Sequence, residues 1–126
     1  MHVIHGAGAV PERATREIFT GEVHSHTFVD DKIGQRLRMT LVRFSPGGRT
    51  KWHRHAFEQG LIITEGRGIV ATEDKENVVT PGDYVIVPEG EKHWHGGTEG
   101  TAMAHISITM PGETTVLEPV ERIQSK

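Results

Sequence analysis

The chain has 126 residues, with 14 lysines and arginines against 17 acidic residues and a formal net charge of -3. This near balance, with the two signs interspersed, excludes nucleic-acid binding through a strongly basic surface. No stretch approaches the ~20 apolar residues that a membrane span requires. The chain has no cysteine, so disulfides and thiolate chemistry are excluded. We therefore expect one cytoplasmic domain that binds a small molecule rather than nucleic acid or a membrane.

Short apolar runs separated by turn residues predict an all-β chain. The 15 glycines and 6 prolines fall between segments rich in valine, isoleucine, threonine and phenylalanine. These segments predict strands at 38–44, 51–55, 59–65, 68–72, 77–80, 84–87, 92–95, 101–109 and 114–118. Almost nothing in the sequence indicates a helix; only 11–19 would allow a short one, because proline fits a first helical turn, although its apolar periodicity is poor. Closure of the strands into a barrel or jelly roll would hide their edges.

Histidines at strand spacing indicate a metal site. Residues two apart on a strand point to the same face, so His53 and His55 should converge on one point. After a short turn, Gln59 begins the next strand and brings a carboxamide oxygen beside them. His93 and His95 share a face on a later strand and could complete a four-ligand site. Nitrogen and oxygen donors of this kind suit Mn, Fe, Ni, Zn or Cu.

Glycines and prolines around these ligands form two ordered motifs. The first motif has Gly47 or Gly48, then His53-x-His55, then Gln59, six residues and Gly66; the second has Gly82, five residues, Pro88-x-Gly90, two residues and His93. Over roughly 38–109 this pattern resembles the two motifs of the cupin superfamily. The resemblance implies a single-domain double-stranded β-helix, or jelly-roll barrel, with a barrel at 38–118, N-terminal strands and an arm at 1–37, and a tail at 119–126. It also implies a homodimer, in which the segment 18–29 could cover a partner's sheet edge.

The glutamine is a departure from the usual cupin pattern, which has glutamate at the position of Gln59. The neighbouring Glu58 does not replace it, because six residues must separate the ligand from Gly66 and because side chains alternate between faces. Three neutral imidazoles and a neutral amide would leave the double positive charge of the metal uncompensated. Such a metal should attract anions and act strongly as a Lewis acid.

Longer stretches narrow the resemblance to one group of cupins. They are Trp52-His53-Arg54-His55, Gln59-Gly60-Leu61-Ile62-Ile63-Thr64, Gly90-Glu91-Lys92-His93-Trp94-His95-Gly96, Thr101-Ala102-Met103-Ala104-His105-Ile106 and Phe19-Thr20-Gly21. These stretches look like the small bacterial cupins that include the manganese-dependent R-selective hydroxynitrile lyases. The resemblance implies one divalent metal per chain, with manganese favoured, held by His53, His55, Gln59 and His93. It also places a pocket histidine at His105, whereas those lyases have a glutamine near the position of Thr109.

A proton-transfer group is expected beside the metal. His95 shares a face with the ligand His93, and His105 shares one with Met103 and Ser107, so either could reach a bound substrate. An imidazole with a pKa near ~6.5 exchanges protons readily at neutral pH. The predicted substrate pocket is lined by Thr40, Val42, Leu61 and Thr109.

These observations favour a metal-dependent lyase acting on a small carbonyl or hydroxynitrile-like substrate. Three alternatives remain open from the sequence. The chain could be a dioxygenase if the metal is iron. It could be an isomerase acting on unsaturated uronates, since those sugar-processing cupins also resemble the pattern of His-x-His followed by glutamine. It could also be a metallo-barrel that binds a metal or ligand without turnover.

Overall fold

The computed structural model describes residues 1–125, and all of their regular structure is β-strand. No helix in that range is long and apolar enough to cross a membrane. The strands are β1 (Glu12–Arg13), β2 (Phe19–Thr20), β3 (Val23–Val29), β4 (Arg38–Phe44), β5 (Arg49–Thr50), β6 (His53–His55), β7 (Gln59–Gly66), β8 (Gly68–Ala71), β9 (Glu76–Val79), β10 (Tyr84–Val87), β11 (Trp94–Gly97), β12 (Met103–Thr109) and β13 (Thr114–Val116).

The strands form two larger antiparallel sheets and a separate pair. One sheet has six strands in the order β1-β3-β4-β12-β7-β10, and the other has five in the order β2-β5-β11-β8-β9. The strand pair β13-β6 carries the first two predicted ligands. Val42 and Leu61 from one sheet and Val70 and Val79 from the other meet in one hydrophobic cluster between the sheets. This architecture confirms the predicted all-β, single-domain jelly roll.

The short helix that the sequence would allow at 11–19 does not form. Its residues instead contribute to two short strands, because β1 pairs with β3 and β2 pairs with β5. The backbone N–H of Ala14 donates to the carbonyl of Val23 at 2.8 Å, which extends the pairing of β1 with β3 by one residue. The segment lacks the apolar periodicity that would bury one side of a helix, and sheet pairing satisfies its backbone groups instead.

Glycines of the two motifs make the turns that bring the ligand strands together. Gly66, Gly82 and Gly90 have positive φ angles of 75°, 94° and 81°. Residues with a Cβ rarely adopt this conformation, so glycine allows each turn without strain. At Gly66 a side chain would also collide with the carbonyl of Ala102. The spacing of glycines and ligands in the two motifs therefore depends on the turns as well as on the positions of the ligands.

The C-terminal tail covers the outer face of the five-stranded sheet. Val120 and Ile123 pack against a second hydrophobic cluster formed by Ile69, Ala71 and Trp94. The guanidinium of Arg49 is hydrogen-bonded to the tail. Its Nε and Nη2 both donate to the Val120 carbonyl, at 3.1 and 2.8 Å. The tail thus buries apolar side chains that would otherwise face water.

Truncation of Ile123 in this tail is expected to destabilise the fold. Ile123→Ala should lower the free energy of unfolding by about 2–4 kcal/mol, because it removes a buried aliphatic side chain from a packed cluster. Urea denaturation measures this loss, and Glu121→Ala at a neighbouring exposed position is the matched control. A loss for Ile123→Ala no larger than that of the control would show that the tail does not stabilise the sheet.

Candidate metal centre

Three buried histidines from two parts of the chain converge at one end of the barrel. His53 and His55 lie on β6 with Arg54 exposed between them. His93 lies just before β11 and forms a two-way backbone bridge with His53, each N–H donating to the other carbonyl at 3.0 Å. One ring nitrogen from each of His53, His55 and His93 lies within 4.8 Å of the others. The three side chains can therefore bind a single ion.

The hydrogen bonds of the imidazoles set which nitrogen is free. His53 and His93 each place Nδ1 against the backbone carbonyl two residues earlier, at 2.8 and 2.9 Å. A carbonyl only accepts, so Nδ1 carries the proton and Nε2 keeps its lone pair. His55 Nδ1 lies 2.8 Å from the hydroxyl of Thr114, and its buried Nε2 has no hydrogen-bond partner among residues 1–125. Metal-ligating histidines are commonly oriented by such a bond from the second nitrogen.

Gln59 supplies an oxygen to the same point. Its side chain is buried, whereas that of Glu58 is exposed. The amide Nε2 donates to the hydroxyl of Ser107 at 2.9 Å, which turns Oε1 toward His93 Nε2 at 3.2 Å. Because His93 is protonated on Nδ1, these two atoms face each other as lone pairs. A cation bound between them removes that repulsion, so the arrangement fits a metal ion.

Burial keeps the three imidazoles neutral. Desolvation, with the nearby His93 as a second cause, lowers the pKa of His53 to about 3 and that of His55 to about 4. Burial also lowers the pKa of His93. All three rings therefore offer uncharged donors at neutral pH. With the neutral amide of Gln59 they make a set suited to divalent Mn, Fe, Ni, Zn or Cu, and the set brings no negative charge.

A second pair of histidines lies beside the three. His105 Nε2 is 3.0 Å from His95 Nδ1, and Phe44 contacts both rings edge-on. The outer nitrogens, His95 Nε2 and His105 Nδ1, have no hydrogen-bond partner within the described range 1–125. Burial lowers the pKa of His105 to about 4, and burial with the neighbouring His105 lowers that of His95 well below its usual value. Both rings are thus neutral, and one of the two facing nitrogens donates a hydrogen bond to the other.

His53, His55 and Gln59 border one cavity of about 660 Å³ together with the histidine pair. Of the predicted wall residues, Thr40, Val42 and Thr109 line it. Leu61 does not line it, because its side chain points into the hydrophobic cluster between the sheets. Apart from the predicted ligands and histidines, the cavity is also lined by Arg16, Glu17, Ile18, Phe19, Thr27, Asp30, Asp31, Arg38, Thr50, Phe57, Ser107, Thr114 and Val116.

Sequence reasoning missed several of these wall residues. Phe57 stacks on His55 with ring centroids 4.7 Å apart. Its position in the turn between the ligands His55 and Gln59 could have indicated from the sequence that it lines the cavity. Phe19 and Arg16 reach the cavity from the N-terminal segment, where the arginine lies 5.5 Å from the phenylalanine ring centroid. Their contact with the cavity follows from the pairing of β2 with β5, which no local pattern predicts.

Ser107 is expected to control metal affinity by orienting Gln59. Ser107→Ala leaves the buried amide N–H without its acceptor, so the amide can rotate and turn Oε1 away from the ligand position. We expect the dissociation constant for manganese to rise about 10–100-fold. Competition with a chelator measures the change, and Ser107→Thr, which keeps the hydroxyl, is the control. An unchanged constant for Ser107→Ala would show that Ser107 does not position the ligand.

Comparison with known proteins identifies the fold family. The Cupin domain model matches residues 40–110, which is more than half of the chain. The chain belongs to the cupin family. This cupin is 47% identical over 91 residues to an (R)-mandelonitrile lyase of Granulicella tundricola, a match that covers 71% of the chain and 70% of the relative. The predicted relationship to cupins is therefore confirmed.

Solved structures agree with this assignment. A cupin-like protein from Thermotoga maritima superposes on the cupin with a TM-score of 0.84 and 31% identity, covering 90% of each chain. The polyketide cyclase RemF from Streptomyces resistomycificus superposes with a TM-score of 0.82 over 96% of this chain and 88% of its own, at 21% identity. The second likeness supports the fold alone.

Proposed function

We propose that this cupin is a metal-dependent lyase that cleaves and forms hydroxynitriles or closely related adducts of small carbonyl compounds. The observation that carries the proposal is the neutral His95–His105 pair, which borders the same cavity as His53, His55 and Gln59. The relative named as an (R)-mandelonitrile lyase supports the reaction class. The resemblance noted from the sequence favours manganese.

His53, His55, Gln59 and His93 would hold the metal. Bound there without an anionic ligand, it would supply a strong Lewis acid for a hydroxyl or carbonyl oxygen of the substrate. The protein holds the donors rigidly, because each histidine has its second nitrogen fixed and Gln59 is fixed by Ser107. This rigidity keeps the substrate oxygen in one place relative to the histidine pair.

The histidine pair can accept a proton at one end and release one at the other. When His105 Nε2 donates to His95 Nδ1, His105 Nδ1 is a free acceptor and His95 Nε2 carries a hydrogen. In cleavage, His105 takes the hydroxyl proton as the bond between the carbinol carbon and the nitrile carbon breaks. The products are an aldehyde and cyanide, and return of a proton to cyanide gives hydrogen cyanide. His105 is our first choice as the base, with His95 the second.

The cavity wall suits a substrate with an apolar substituent. Val42, Phe57 and Val116 provide apolar surface, and Thr40 and Thr109 provide hydroxyl groups. An aromatic ring can pack on the apolar side while its polar carbon faces the ligands. The threonine at 109, in place of the glutamine of the similar lyases, lacks an amide that could bond the substrate. Loss of one such hydrogen bond commonly costs about 1 kcal/mol, so we expect weaker activity than in those lyases.

Mandelonitrile cleavage tests the proposal. Manganese-loaded protein should form benzaldehyde faster than metal-free protein, and the metal-free rate should equal the buffer background. Equal rates for the two forms would overturn the proposal. Iron-loaded protein assayed for oxygen consumption then tests the dioxygenase, and unsaturated uronates test the isomerase. If the protein binds metal but turns over no substrate in any of these assays, the remaining alternative is a metallo-barrel that binds a metal or ligand without catalysis.

A further inference from the structure

The cavity wall formed by β4 and β12 connects the histidine pair with the mouth of the cavity. Three cross-strand pairs form this wall, and all six residues border the cavity: Val42 with His105, Thr40 with Ser107, and Arg38 with Thr109. Side chains two apart on a strand share a face, so the pairs follow one another along the wall. The first pair is buried and the third is only partly buried. Arg38 therefore lies at the mouth, on the same wall as the proposed base His105.

Two hydrogen bonds hold the guanidinium of Arg38 in place. Its Nη1 donates to the carbonyls of Gly34 and Leu37, at 2.8 and 3.0 Å. These bonds leave Nε and Nη2, whose N–H groups point the same way from one edge of the planar group. Two parallel N–H groups match the two oxygens of a carboxylate. Because the loop already fixes the guanidinium, a carboxylate there would bind a preformed pair of donors.

A second arginine adds positive charge to the mouth. Arg16 borders the cavity from the N-terminal segment. Within residues 1–125, neither Arg16 nor Arg38 forms an ion pair with a carboxylate of the chain. The proposed metal ligands are all neutral, so a bound divalent ion would add its full charge to that of the arginines. A cavity with this charge attracts anions.

Three carboxylates also lie at the mouth, but they do not cancel this charge; they belong to Glu17, Asp30 and Asp31. The Asp30 carboxylate accepts the backbone N–H of Lys32 at 2.9 Å, so it faces its own turn. Glu17 and Asp31 are exposed, where water and salt screen their charges. The three carboxylates and two arginines sum to one negative charge, against the two positive charges of a divalent ion. The cavity with its metal is therefore positive.

We propose that the substrate carries a carboxylate that binds to Arg38, an inference that rests on the metal-dependent lyase proposed above. The reacting oxygen would lie near Gln59, which is held by Ser107, one pair deeper along the wall than Arg38. Successive pairs are about 7 Å apart, since a strand rises about 3.4 Å per residue. A benzene ring with an aldehyde and a carboxylate on opposite carbons has a comparable length. The carboxylate takes no part in the bonds that form and break; it positions the substrate.

The binding of two aldehydes of the same shape tests the proposal. The probes are para-formylbenzoate, which carries a charge, and para-formylbenzamide, which does not. We expect manganese-loaded protein to bind the benzoate about 10–100-fold more tightly, because hydrogen bonds between charged groups are the stronger ones. Isothermal titration calorimetry measures both dissociation constants and requires no turnover. Equal constants for the two probes would overturn the proposal.

Variants of Arg38 test whether this residue binds the carboxylate. Arg38→Gln should remove most of the preference for the benzoate and leave the affinity for the amide unchanged. Arg38→Lys keeps the charge but not the paired N–H groups, so it should show a smaller preference than the unchanged protein even if Arg38→Gln does not fold. Arg36→Gln, at an exposed arginine of the same loop, is the matched control and should keep the full preference.

The remaining outcomes separate this inference from the proposed reaction. A preference for the benzoate that survives in folded Arg38→Gln would overturn the inference, because the carboxylate would then bind elsewhere, such as at the metal. No preference in protein that cleaves mandelonitrile would overturn the inference and leave the lyase standing. A preference that depends on Arg38, in protein that does not cleave mandelonitrile, would support the carboxylate site and contradict the lyase.

Discussion

Replacing His105 by alanine is expected to reduce kcat for mandelonitrile cleavage by about 10²–10⁴-fold, the usual contribution of a positioned general base or acid. Its Nδ1 is buried without a partner among residues 1–125, and its Nε2 is hydrogen-bonded to Nδ1 of His95. Removal of the ring leaves His95 without that partner but does not touch a metal ligand. Steady-state kinetics on manganese-loaded protein measures the loss.

Two measurements separate a role in catalysis from a role in packing. His105→Ala should still bind one manganese ion per chain, and thermal melting should show that the variant is folded. Its kcat for mandelonitrile cleavage should nevertheless be low. His24→Ala, at a histidine 3.8 Å from Glu22 on the protein surface, should keep full activity. Unchanged kcat for His105→Ala would show that another group, such as His95, moves the proton.

Removal of any one of the proposed metal ligands His53, His55 and His93 is expected to have the largest effect on metal content. His53→Ala and His93→Ala should each leave no metal after desalting, because each removes one of four donors and opens the backbone-bridged pair to water. A residue that orients a ligand already contributes about 10–100-fold in affinity, so loss of a ligand should exceed that. Elemental analysis gives the metal content per chain.

Gln59 and Glu58 provide a sharper comparison within the same experiment. Gln59→Ala should weaken metal binding, because the buried Oε1 faces His93. Glu58→Ala should have little effect, because its carboxylate is exposed to solvent. If Glu58→Ala strips the metal while Gln59→Ala retains it, the assignment of the ligand is wrong.

The parts of the site that depend on strand alternation could be predicted from the sequence. A period of two places His53 and His55 together and separates Gln59 from Glu58, and these are local properties of a strand. The motif glycines predicted the turns for the same local reason. The all-β fold followed from short apolar segments between turn residues.

The contacts that complete the site come from distant parts of the chain and could not be predicted in this way. Thr114 lies 59 residues from His55, and Ser107 lies 48 residues from Gln59. Each meets its partner only through the pairing of β13 with β6 or of β12 with β7. Leu61 was wrongly predicted to line the cavity. Strand alternation predicts which side of the sheet a side chain lies on, but not how deep in the core it lies.

Anomalous diffraction from crystals of the manganese-loaded protein tests the central claim most directly. The account predicts one manganese peak per chain, within bonding distance of Nε2 of His53, His55 and His93 and of Oε1 of Gln59. A peak on the His95–His105 pair, a peak on Glu58, or no peak in the cavity would contradict it.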